Sequence, residues 1–149
     1  IGREPEKWRP TTRETADHSL SYIIAGVLID RAFSDELFSD ERLRDPRIRA
    51  LIDRIEVKED AEITRRFPEF LACRIEVTLK NGERKVAQTD YPRGHYKNPM
   101  SDDEINAKFR ELARRALPTL RIDRALDALW NLDRAGDLDA LFDAVQTQA

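Results

Sequence analysis

Cysteine is almost missing from this sequence: Cys73 stands alone, so no internal disulfide can form and no Cys cluster offers a zinc or iron–sulfur site. That usage suits a reducing compartment, and the expected location is cytoplasmic. Long apolar runs are also lacking. The longest, residues 22–29, is bounded by Ser21 and Asp30 and falls far short of the ~20 residues a membrane helix needs. Nor does the opening IGREPEKWRP, polar and Pro-containing, resemble a secretory leader. Positive charge is not in excess, with 26 Lys and Arg against 29 Asp and Glu and a net charge of −3. The two signs are interspersed, as in RLRDPRIRALIDRIEVKED, and no aromatic-studded basic stripe appears, so nucleic acid is not expected as a partner. There is neither an internal repeat nor a low-complexity linker.

What is present reads as a globular chain with a heavily solvated surface, 40% apolar and 37% charged. Pro5 and Pro10 suggest an extended lead-in over the first ten residues. Asp17 is a candidate N-cap for a helix with Leu20, Ile23, Ile24, Val27 and Leu28 spaced as a core-facing stripe. Asp45-Pro46 signals another start, followed by Ile48, Leu51 and Ile52. Residues 55–57 are predicted as a short strand. From Leu71 the period becomes two, with Leu71, Cys73, Ile75, Val77 and Leu79 on one side. Asn81-Gly82 then supplies a hairpin turn, and residues 83–89 the return strand.

Helices take over beyond the Tyr91–His95 loop. Ser101 and Glu104 form a candidate capping box, with Ile105, Phe109, Leu112 and Ala116 along one face and Pro118 marking the end. Two more stretches follow, one on Ile122, Ala125, Leu126, Leu129 and Trp130, the other on Leu138, Leu141, Phe142 and Val145, with Asp137 a candidate cap. The predicted class is α+β: a small antiparallel sheet with a central hairpin packed against helices, ending in three helices.

Few residues suggest chemistry. Arg13 and His18 can form a cationic pair for a substrate carboxylate beside a helix start. The competing reading has Asp17 capping the helix while His18 packs or bonds locally. His95, with Arg93 and Lys97 nearby, lies in a loop where Gly94 permits close backbone approach to a ligand; a solvated turn is the alternative. Asp102, Asp103 and Glu104 occupy a first helical turn, where acids complement the dipole. Cys73 and Tyr22 read as packing residues. The residues alone thus give an α+β domain with an anion-binding edge, and no reaction.

Lys7-Trp8-x-Pro10 and the run Thr12-Arg13-Glu14-Thr15-Ala16-Asp17-His18-Ser19-Leu20-x-Tyr22 resemble the segment opening the second half of MmgE/PrpD domains. Asp45-Pro46, the strand–NG–strand hairpin, Arg93-Gly94-His95-x-x-Asn98-Pro99-Met100-Ser101 and Ala107-Lys108-Phe109 continue the similarity in order and spacing. Two departures stand out: Ser21 where the family usually has Pro, and Arg31 where a Gly often ends the helix.

The resemblance implies a lid-like α+β domain over residues 1–118 and C-terminal helices over 119–149 that dock on a preceding all-helical domain. It also implies a homodimer and cofactor-independent lyase chemistry on di- and tricarboxylates, foremost the dehydration of 2-methylcitrate. Related decarboxylases and epimerases share the theme of handling a proton on carbon next to a carboxylate. Arg13, His18, Arg93 and His95 are, by this transfer, the candidate substrate-binding residues; no metal ligands are implied, and the catalytic base is expected in the upstream part. Two other classes of role are a carboxylate-binding module without turnover and an assembly piece docking through Leu129, Trp130, Leu138 and Phe142.

Overall fold

The computed structural model describes residues 4–146. Its contacts divide the chain between Thr64 and Arg65 into two compact units. The first is all-helical: α1 (Pro5–Trp8), α2 (Arg13–Asp17), α3 (Leu20–Asp30), a 3-10 turn (Asp35–Phe38), α4 (Asp40–Leu43) and α5 (Pro46–Ile52), with α6 (Ala61–Arg66) straddling the division. The second holds an antiparallel hairpin, β1 (Cys73–Thr78) and β2 (Arg84–Thr89), then α7 (Asp102–Ala113), α8 (Thr119–Trp130) and α9 (Asp139–Val145). The class is α+β with three closing helices, as the sequence pattern indicates.

In the first unit the core gathers Ala16, Tyr22, Ala25, Leu37, Phe38, Leu43, Ile48 and Ile52. The lead-in is not wholly extended: Pro5 at the first helical position starts a short turn, α1, while residues 1–3 lie outside the described residues. Asp17 is not a cap. Thr12 and Thr15 cap a separate helix, α2, which ends at Asp17, and it is the Ser19 hydroxyl that accepts the Tyr22 amide at 3.1 Å to start α3.

The predicted face of α3 also shifts. Ser21, Tyr22, Ala25 and Gly26 are buried, whereas Leu28 is 48% exposed. The helix is apolar nearly all round, so its stripe is ambiguous, and small residues win because they admit Leu37. A Cβ on Gly26 would overlap the Leu37 side chain. Residues 55–57 form no strand; Ile55 instead closes a turn on Ile52 (2.9 Å) and packs against the helical core.

Two local features of this unit give measurable effects. Arg31 ends α3 with φ 56°, the left-handed conformation that penalises any side chain with a Cβ. Arg31→Gly is therefore expected to raise stability by about 1 kcal/mol, read as a higher melting temperature. Asp45, its side chain 9% exposed, caps α5 by accepting the Arg47 amide at 2.8 Å and also pairs with the Arg42 and Arg47 guanidinium groups. The Arg47 hydrogen bond holds its carboxyl at about 2. A depressed carboxylate stabilises the fold above its unfolded pKa of about 4 and loses that contribution as pH falls through its folded value. Asp45→Asn should cost about 1–3 kcal/mol at pH 7 and flatten the loss of stability between about pH 4 and 2. An acid limb as steep as the parent's would contradict this.

In the second unit the hairpin pairs Cys73 with Thr89 through Thr78 with Arg84. Leu79 and Glu83 close a three-residue loop at 2.8 Å in which only Gly82, at φ 85°, needs the left-handed region. With residues 55–57 absent, the sheet has two strands, and its apolar side chains stay open: Ile75 is 36% and Val86 50% exposed. Ser101 and Glu104 form the predicted capping box of α7. Asp137 accepts the Asp139 amide at 3.0 Å at the start of α9. Buried apolar residues here come from α8 and α9, namely Ile122, Ala125, Leu126 and Ala144, while Leu129, Trp130, Leu138 and Phe142 remain exposed.

Candidate functional site

The candidate residues fall in two clusters, one in each unit. In the first, every third residue from Ala16 is buried: Ala16 and Ser19 at 0% and Tyr22 at 1% exposure. These three anchor the turn between α2 and α3. The Ser19 hydroxyl donates to the Lys7 carbonyl while capping Tyr22, whose own hydroxyl donates to the Leu37 carbonyl at 2.7 Å. Burial pushes the Tyr22 phenol above its ordinary range. The intervening Asp17 and His18 are left at the surface, so the motif alternates between residues that hold the turn and residues the turn presents.

His18 is the C-cap of α2 rather than the start of a helix. Its Nδ1 lies 3.0 Å from the Glu14 carbonyl and also contacts the Asp17 carboxylate. Both partners accept, so Nδ1 carries a proton, while Nε2 has no partner among the described residues. The Glu14 carbonyl first, then Asp17, raises the His18 pKa above the ordinary histidine value. For a raised group the associated stabilisation is fully present below the unfolded pKa and is lost as pH rises through the folded one. Arg13, six residues before Ser19, pairs with Asp35 and stays half-exposed. Arg13 and His18 thus share one short helix and its cap.

The second cluster is the loop between β2 and α7. Asn98 is its clasp. Its side-chain amide donates to the Tyr91 carbonyl at 2.9 Å, its side-chain oxygen accepts from Arg93 at 3.0 Å, and its backbone pairs with Gly94 (2.9 Å) and His95 (2.7 Å). Gly94 makes the tight bend at φ 95°. Arg93 also forms a two-pronged pair with Glu104, which holds the Glu104 carboxyl at about 2 with help from the Ser101 amide. Its guanidinium is therefore tied to the start of α7 while remaining half-exposed.

His95, half-buried, stacks on Tyr91 at 4.9 Å and 18° and meets Tyr96 at 4.5 Å. Phe70 extends the column beyond Tyr91 at 5.2 Å, and the Arg66 guanidinium covers Phe70 at 3.9 Å. Lys97 runs beside the stack, its ammonium 3.0 Å from the Tyr91 hydroxyl and 5.0–5.8 Å from the centroids of Phe70, Tyr91 and Tyr96. The Tyr91 hydrogen bond raises the Lys97 pKa. Sequence reasoning missed the Tyr91 stack and the Asn98 clasp; the Asn98 signal was there in the Gly94-x-x-x-Asn98 spacing.

No group of three or more His, Cys, Asp or Glu suited to a metal ion occurs among the described residues, and none of their helices is long and apolar enough to cross a membrane. A groove between α8 and α9, lined by Arg121, Arg124 and Asp143, includes none of the four candidates.

The MmgE/PrpD C-terminal domain family model matches residues 1–133. Among curated proteins the chain is similar to the cis-aconitate decarboxylase of Homo sapiens, 26% identical over 134 residues, and to that of Mus musculus, 24% identical over 132 residues. Each alignment covers 89% of this chain and 27% of the relative, so the chain spans about a quarter of the length of the proteins it matches.

Proposed function

Because the chain belongs to the MmgE/PrpD family, of which it carries the C-terminal domain, we propose that it works as the substrate-enclosing part of a lyase acting on a tricarboxylate. The family match over residues 1–133 carries this reading. The site chemistry supports it. Arg13, His18, Arg93 and His95 all keep polar atoms at the surface of short, well-anchored turns, and all suit carboxylate oxygens. The raised pKa shifts His18 toward the imidazolium form, in which Nε2 also carries a proton and can give a carboxylate a charge-assisted hydrogen bond.

The proton removed from, or returned to, carbon next to a carboxylate needs a positioned base, and cationic groups must hold the developing charge. In this reading the chain supplies the second requirement, and an N-terminal helical domain supplies the base and the contacts of a homodimer. The names of the relatives favour cis-aconitate as substrate and decarboxylation as the reaction. Dehydration of 2-methylcitrate is the second reading, favoured by the motif resemblance.

The test is an assay of the chain joined to its helical domain. Carbon dioxide released from cis-aconitate supports the first reaction, and absorbance of a new conjugated double bond from 2-methylcitrate the second. Turnover of neither, in a folded preparation, overturns the lyase reading. The chain alone should turn over neither.

A further inference from the structure

The neutral rings of the two histidines are set in opposite tautomers. His18 donates from Nδ1, as described above, which leaves Nε2 unprotonated in the neutral ring. At His95 the bond runs the other way: the Lys97 backbone amide donates to Nδ1 at 3.2 Å. An acceptor Nδ1 places the proton of the neutral ring on Nε2. That Nε2–H has no partner among the described residues. The ring cannot easily rotate to exchange these roles, because Tyr91 and Tyr96 pack on it and the Asn98 backbone closes the turn on both sides. Lys97 adds to the same arrangement twice, through its amide on Nδ1 and through its ammonium on the Tyr91 hydroxyl.

We propose that His95 is a preset Nε2–H donor for one carboxylate of the substrate, and that Tyr91 and Lys97 are positioning residues that fix its tautomer and orientation. This rests on the tricarboxylate reading for the identity of the ligand. The physical advantage is preorganisation. A donor whose tautomer and ring orientation are already fixed meets a carboxylate without reorganising first. The ammonium of Lys97, within 5.8 Å of the Phe70, Tyr91 and Tyr96 centroids and 3.7 Å from Glu69, braces the stack on which the His95 ring lies.

With two histidines in the chain, nitrogen-15 NMR of the histidine rings decides the matter, His18→Gln assigning the signals. At a pH above both titrations, His95 should show the Nε2–H pattern and His18 the Nδ1–H pattern. Titration with propane-1,2,3-tricarboxylate, an unreactive tricarboxylate, should shift the His95 Nε2 resonance. Tyr91→Leu should leave His95 averaging between tautomers and weaken the shift at least fivefold, whereas Tyr91→Phe, which keeps the stack, should preserve the tautomer. A His95 that is Nδ1-protonated or averaging in the parent chain overturns the proposal, as does a correct tautomer that the tricarboxylate leaves unperturbed. Absence of turnover in the assembled enzyme, with both NMR results as predicted, would instead overturn the lyase reading and leave His95 as a carboxylate-binding donor.

Discussion

Tyr22→Ala is expected to cost the N-terminal unit about 3–5 kcal/mol, enough to unfold much of it at 25 °C. Tyr22 is 1% exposed, packs near Phe38 at 6.4 Å between centroids, and sends its hydroxyl to the Leu37 carbonyl at 2.7 Å. Truncation therefore opens a cavity in the middle of the core and orphans a buried carbonyl. Tyr22→Phe separates the two effects, since it keeps the ring and loses only the hydrogen bond, for about 1–3 kcal/mol. Urea unfolding followed by circular dichroism measures both; a Tyr22→Ala loss under about 1 kcal/mol would contradict the assignment of Tyr22 as the anchor of the turn. The consequence reaches the site, because that turn presents His18.

Asn98→Ala should release the loop that carries Arg93 and His95. The side chain bonds the Tyr91 carbonyl and the Arg93 guanidinium, so about 2 kcal/mol of local stability depends on it. The readout is hydrogen exchange at the Gly94 and Asn98 amides, both closed within the loop in the parent. Exchange there should accelerate by about tenfold or more while the amides of α8 are unaffected. Unchanged protection would show that the backbone and Gly94 hold the loop without the Asn98 side chain.

Much of this architecture was legible because it is local. The Ser101–Glu104 capping box, the Asp45-Pro46 start and the hairpin around Gly82 each depend on residues within a few positions of one another. The face of α3 was not legible, since Leu20, Ile23 and Ile24 compete with Tyr22, Ala25 and Gly26 for the core and only the distant Leu37 decides. The predicted strand at 55–57 failed for a similar reason: a strand needs a partner, and the core of α3 and α5 took Ile55 instead. In the two clusters, the resemblance suggests the four candidate side chains but not what orients them. Phe70 and Tyr91 stack across the whole hairpin, a contact no window of sequence displays. Asp17 caps no helix; with the Glu14 carbonyl it instead accepts from His18 Nδ1.

The claim that the two histidines of this domain hold the substrate is tested most directly by replacing both in the assembled enzyme. The double variant His18→Gln, His95→Gln, confirmed as folded by circular dichroism, should lose about a hundredfold or more in kcat/KM toward its tricarboxylate. A kcat/KM equal to the parent's would contradict the account, leaving the C-terminal domain as a cover with no chemical part in the reaction.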